Sequence, residues 1–279
     1  MIEQQPDSPK GQVTANAHAA RLKLNWVPWT VQMTFRGVLF TLIPWIGFNL
    51  LLNATGGNTG PSKPLSFGDD LGGAIVGIAF AVLVEGAFLI APYYYANKTL
   101  VPESLREGEA RVRAIFRSLG LRRFNFWRTL PWIIGLIVVI IGVNWLYDLA
   151  ITALHLNLQS NSQVVQQYSV YEPLTTYAVL AGSVFIAPFC EEIFFRGFTF
   201  SGLLRDLSPF WAVLISSALF AIAHADPGSF VPLFAIGLCL GFLRWRTGST
   251  WASMSLHILN NLLASVDIIL AMHHINLPF

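Results

Sequence analysis

The chain has 279 residues, of which 54% are hydrophobic and only 11% charged, and its mean hydropathy is +0.57. A soluble domain carries about 25% charged residues, so this chain lacks the charge to cover a water-facing surface and its composition points to a membrane. A net charge of +2 is too small to imply a nucleic-acid partner. Cys190 and Cys239 both lie in apolar stretches, which argues against a disulfide framework.

In chain order, the first segment is polar: MIEQQPDSPKGQVTANAHAARLKLN, residues 1–25. It has no apolar core followed by a small-residue cleavage site, so it reads as a tail rather than a cleavable signal peptide. Apolar stretches follow at about 37–53, 71–96, 130–152, 174–205, 209–225, 229–244 and 250–272, each set against the roughly 20 residues that a spanning helix needs. The expected fold is therefore all-α, a polytopic transmembrane bundle of about seven helices. Gly and Pro punctuate the gaps, as in GGNTGPSKP after the first stretch and DPGS after the fifth. The chain divides into the tail at 1–25, two spanning helices with a basic loop at 26–118, and a helical core at 119–279. Pro188 lies inside the long fourth stretch, where a kink is expected.

Basic residues orient the bundle. Lys98, Arg106, Arg111, Arg113, Arg117, Arg122, Arg123 and Arg128 crowd the segment after the second stretch, whereas His155 to Pro173 holds no Lys or Arg. The basic segment is expected on the cytoplasmic side of the cell membrane, together with the N-terminus, Arg205, Arg244 and Arg246. Leu105 to Phe126 is amphipathic: Leu105, Val112, Ile115, Phe116 and Leu119 can share a face against the bilayer, with arginines opposite. A loop whose charge only sets topology is the alternative. Tyr93, Tyr94 and Tyr95 read as an interfacial aromatic belt.

Charges inside a membrane segment are costly and usually mark function. In APFCEEIFFRGF, Glu192 and Arg196 are four apart and can pair on one helix face. Glu191 points about 100° away from Glu192 and is left free. Phe220 and His224 share a face in the fifth stretch, and His257 and Asn261 share one in the seventh. Glu191 and His224 are nearly equidistant in sequence from the centre of the turn at Arg205 to Pro209, so antiparallel helices bring them to about one depth. The same count leaves His257 roughly two turns nearer the cytoplasmic side, a gap that tilt or a kink has to close. It also puts Glu191 about 24 Å from the cytoplasmic turn.

A carboxylate beside an imidazole can take a proton from water and make a nucleophile. A second imidazole and an amide can hold the oxyanion of a tetrahedral intermediate. Glu191, His224 and His257 equally match a catalytic zinc set in type, with water as the fourth ligand, and spacing does not choose between the two chemistries. No G-x-S-x-G elbow and no H-E-x-x-H helix is present.

The ordered motifs E-E-x-x-x-R, F-x-x-x-H and H-x-x-x-N, read as Glu191-Glu192…Arg196, Phe220…His224 and His257…Asn261, resemble the CPBP intramembrane protease family. That family groups CAAX prenyl endopeptidases with bacteriocin-processing and immunity proteins. The resemblance covers about Leu119 to Ser265 and includes the flanks SSALFAIAHA and LGLRR. It implies an endopeptidase acting on a membrane-associated, in some members prenylated, peptide or protein. It also implies roles: Glu191 with His224 activating water, His257 with Asn261 stabilising the oxyanion, and Glu192, Arg196 and Phe220 in support. The prenyl-protein enzymes take cytoplasmic tails, which sits uneasily with the depth counted for Glu191.

Other readings of the same residues are an immunity or scaffolding protein that keeps the motifs without catalysis, and a proton-coupled transporter relaying through Glu85, Glu191 and His224. No paired inverted repeat supports the latter. Glu85, outside the resemblance, lines the cavity, pairs with an arginine or meets water. Gly237 and Gly241 read as close packing within the monomer, Asn144 and Asp148 as packing contacts, and His273 and His274 as solvated.

Overall fold

The computed structural model describes residues 27–54, 63–100, 109–156 and 171–273, with residues 61, 158, 165, 166 and 169 as single positions between them. The tail at 1–25, Leu105, Arg106 and His274 lie outside the described residues. Among those described, every regular element is helical. They are α1 (Val31–Ala54), α2 (Phe67–Gly86), a 3₁₀ turn (Ala87–Leu89), α3 (Ile90–Thr99), α4 (Glu109–Ser118), α5 (Phe126–Ala153) and α6 (Pro173–Ala181). Then come a π turn (Gly182–Ile186), α7 (Ala187–Glu192), a second π turn (Ile193–Thr199), α8 (Phe200–Leu204), α9 (Pro209–Ala223), a 3₁₀ turn (Pro227–Ser229), α10 (Phe230–Thr247) and α11 (Thr250–Met272).

Six helical stretches are long and apolar enough to cross a bilayer: Val31–Leu52, Phe67–Thr99, Phe126–Ala153, Pro173–Leu204, Pro227–Thr247 and Thr250–Met272. The fifth predicted span, α9, is a shorter apolar helix of 15 residues. Phe40, Leu83, Val138 and Phe185 are each more than 60% exposed. Such side chains on the outside of the spans have lipid as their natural solvent, and the chain is an integral membrane protein. Pro173–Leu204 is the most enclosed stretch, with 56% of its apolar window buried. The other helices wrap it, so the segment with Glu191, Glu192 and Arg196 forms the axis of the bundle.

Local chemistry explains the helix ends. At the C-terminus of α4, Gly120 adopts φ +70°, Leu121 N–H donates to Phe116 O, and Gly120 N–H donates to Arg117 O. That is a Schellman motif, which wants glycine at its left-handed position. At the start of α6, Glu172 makes no side-chain cap. Buried Asp70 of α2 supplies it instead, accepting from Leu174 N–H at 2.9 Å and Thr175 N–H at 2.8 Å. Burial, together with the Asp70 charge, pushes the Glu172 carboxyl above its ordinary range.

Gly237 of α10 lies against the backbone of Ser217 in α9, where an added Cβ would come within 2.9 Å of Ser217 Cβ. Gly241 meets Val213 in the same way. The G-x-x-x-G pair thus packs α10 on α9 within the monomer. Of the tyrosine belt, Tyr93 and Tyr94 are exposed, while Tyr95 turns inward and stacks on Phe198 with ring centroids 5.6 Å apart.

Candidate active site

The expected kink at Pro188 takes the form of two π turns flanking α7. Proline has no N–H and its ring crowds the carbonyl four residues before it. A π turn immediately before Pro188 widens the backbone where that clash would fall. Such turns are rare and recur at functional sites. Here they bracket Glu191 and Glu192.

Glu192 and Arg196 form a fully buried ion pair at 2.8 Å. The same guanidinium donates to Gly237 O at 3.2 Å and stacks 4.4 Å from the Phe220 ring centre. Phe220 in turn touches both imidazoles, with centroids 4.7 Å from His224 and 5.6 Å from His257. Phe220 thus lies between the Arg196 guanidinium and the two histidines.

The free carboxylate faces both rings. Glu191 Oε1 is 3.9 Å from His224 Nε2, and Glu191 Oε2 is 3.8 Å from His257 Nε2. Both gaps exceed a direct hydrogen bond, so neither imidazole is bonded directly to the carboxylate it faces. His224 Nδ1 sits 2.8 Å from Phe220 O, an acceptor, so Nδ1 carries the proton and Nε2 is the open nitrogen. The His224 side chain is 27% exposed against 9% for Glu191, so access to the pair is from the histidine side.

The structure joins His257 to the site in a way that spacing does not reveal. Its Nδ1 lies 3.3 Å from Glu192 Oε1, the oxygen that also receives Arg196. Glu192 therefore orients His257 as well as pairing with Arg196. The two-turn depth gap counted for His257 is closed: its Nε2 stands beside Glu191. A π turn packs more residues into each turn than an α-helix, so fewer ångströms separate Glu191 from the turn at Arg205 than a straight count gives.

Asn261 stands apart from this contact set. Its amide donates to Ser183 O at 2.8 Å, inside the first π turn, while its Oδ1 accepts from Asn260 at 3.2 Å. One of its two N–H donors is thus committed to the backbone ahead of α7. Trp45 of α1 is a further contributor without a sequence signal: its indole N–H donates to Ala223 O at 2.6 Å, on the residue before His224. Glu85 is half-buried and its Oε2 has no hydrogen-bond partner. It lies just before the 3₁₀ break between α2 and α3. His273 meets Tyr177 Oη at 3.1 Å.

Among the described residues, no group of three or more His, Cys, Asp or Glu side chains is arranged to hold a metal ion. Glu191 meets His224 through Oε1 and His257 through Oε2.

Residues 173–263 match the family described as Type II CAAX prenyl endopeptidase Rce1-like. A Bacillus subtilis (strain 168) protein named "Putative membrane peptidase YdiL" is 37% identical over 79 residues, 28% of this chain and 32% of that protein. An uncharacterized protein of Mycoplasma capricolum subsp. capricolum is 32% identical over 145 residues, 47% of this chain and 41% of that protein. The chain thus spans less than half the length of the curated relatives it matches. No solved structure matches it significantly.

Proposed function

We propose that this chain, which carries an Rce1-like domain at residues 173–263, is an intramembrane endopeptidase of the CAAX-protease type. The observation that carries the reading is one carboxylate, Glu191, held within 4 Å of both His224 Nε2 and His257 Nε2 at the buried axis of the bundle.

In this reading a water is shared by Glu191 Oε1 and His224 Nε2 from one side of the pair. As its oxygen bonds to the scissile carbonyl carbon, its proton passes to Glu191. The carbonyl oxygen becomes an oxyanion, accepting from the Nε2–H of His257 in its imidazolium form, whose Nδ1–H stays on Glu192, and from the remaining N–H of Asn261. Glu191 then returns the proton to the leaving nitrogen, the C–N bond breaks, and a carboxylic acid and an amine leave, the acid's proton passing to the amine to give carboxylate and ammonium. Glu192 and Arg196 take no proton: Glu192 fixes the His257 ring through Nδ1, and Arg196 balances Glu192. No step needs a metal. Proton transfer of this kind is worth roughly a hundred- to ten-thousand-fold in rate. The substrate is a membrane-associated peptide or protein. The arginine-rich end and the N-terminus face the cytoplasm.

The test is cleavage by the purified, reconstituted protein of matched CAAX-type peptides with and without a prenyl group. Hydrolysis in ¹⁸O-water should place label in the new carboxylate. His224→Ala should lose roughly a hundred-fold or more of the rate. Full activity after chelation, in protein free of metal by elemental analysis, is expected. Activity that falls on chelation and returns with zinc would replace the glutamate mechanism by a metal one. No cleavage of either peptide would overturn the substrate assignment.

A further inference from the structure

The amphipathic helix α4 is not used by the mechanism, and its surface divides into three strips. Ile115, Ser118 and Leu119 are buried against the bundle. Val112 and Phe116, one turn apart, are 49% and 51% exposed. Arg113 and Arg117, the next residue after each, continue the outward face and are also exposed. An exposed apolar strip flanked by arginines is the pattern of a helix lying at a bilayer surface.

A second observation fixes the level at which it lies. Ser249 Oγ donates to Arg122 O, Thr250 N–H donates to Gly120 O, and Arg244 donates to Ser201 Oγ. The end of α4 therefore stands at the same end of the bundle as the starts of α5 and α11. Phe126, Trp127 and Trp251 there are all 40% or more exposed, an aromatic belt at headgroup height. The cations are also crowded: Arg122 donates to Arg117 O through Nε and NH2. Burial, with the Arg117 charge, pushes the Arg122 guanidinium below its usual range.

A third observation ties the helix to the site. Leu119 O accepts from Thr250 Oγ1 at 2.7 Å and lies where a Cβ on Gly197 would come within 2.9 Å of it. Gly197 follows Arg196 in the second π turn, and Thr250 opens the helix that carries His257.

We infer that α4 docks on the anionic phospholipid headgroups of its leaflet, with Val112 and Phe116 in the acyl boundary and Arg113 and Arg117 on phosphates, and that docking braces the Leu119–Gly120 corner against the catalytic segment. The docking half stands on geometry and charge alone; the bracing half rests on the proposed peptidase. Each arginine near an anionic surface is worth about a five-fold factor in binding, so two give roughly twenty-five-fold.

The experiment uses full-length protein with Val112→Cys carrying a nitroxide, the native Cys190 and Cys239 being buried. It is reconstituted in phosphatidylcholine alone and in phosphatidylcholine with phosphatidylglycerol. The label should be water-accessible in the first and lipid-accessible in the second, and the shift should reverse with salt. It should be absent in an Arg113→Gln/Arg117→Gln variant. Soluble glycerol phosphate should not reproduce it. Equal accessibility in both lipids, docking by the double variant, or an effect of free glycerol phosphate would each overturn the proposal. Peptide turnover measured in the same vesicles should rise with the anionic lipid in wild type and stay flat in the double variant. A label that docks without any turnover would fault the peptidase reading and leave the docking standing.

Discussion

Glu192 carries two tasks on one oxygen: it neutralises Arg196 at 2.8 Å and orients His257 at 3.3 Å. Both residues of the ion pair are fully buried, so removing one charge leaves the other stranded in a low-dielectric core. Breaking such a pair costs about 3–5 kcal/mol. Glu192→Gln is therefore expected to lower the unfolding free energy of the purified protein by about that amount, read in a denaturant titration in mixed micelles. Unchanged stability would mean that Arg196 draws its support from Gly237 O and the Phe220 face instead. The Glu192–Arg196 pair was legible from four-residue spacing because a helix makes it local. The Glu192–His257 contact was not, since it joins residues in different spans and nothing in either segment announces the register between them. Glu191, His224 and His257 were all readable as candidates. Their common depth followed from counting for the first two and failed for the third.

At the scale of elements, the count assumed straight α-helices, and the fourth span is instead a short α-helix between two π turns, which closes only a small part of the two-turn gap. Pro188 marked the place of a distortion but not its form, because no local propensity distinguishes a kink from a widened turn. The 15-residue α9 is a shorter apolar helix than the six longer spans. Where the elements touch, small residues set the distance. Gly237 lies against Ser217 and also supplies the carbonyl that receives Arg196. Gly237→Leu should force α10 away from α9, cost about 1–3 kcal/mol in stability, and reduce turnover without touching a reacting group. Gly135 of α5 has open space around it, so Gly135→Ala should leave both thermal stability and turnover essentially unchanged. Equal effects of the two substitutions would show that the α9–α10 contact does not position Arg196.

At the scale of the whole molecule, one end gathers Arg122, Arg205, Arg244 and the α10–α11 turn. The other gathers Asp70, Leu174, Tyr177 and His273. The charge asymmetry predicts which end faces the cytoplasm. A membrane-impermeant maleimide should label Leu158→Cys in intact cells and label Arg123→Cys only after permeabilisation, both residues being exposed. The reverse pattern would invert the proposed topology. Composition and run length made the membrane bundle legible, because lipid imposes long apolar helices whatever the packing. The buried centre was less so, because it depends on contacts between helices. The central claim is that Glu191 is the base that activates water. It is tested most directly by the single-turnover cleavage rate of Glu191→Gln against wild type in identical vesicles, with peptide binding measured alongside. A fall of roughly a thousand-fold or more at unchanged peptide affinity is expected. A rate within a few-fold of wild type would contradict the account.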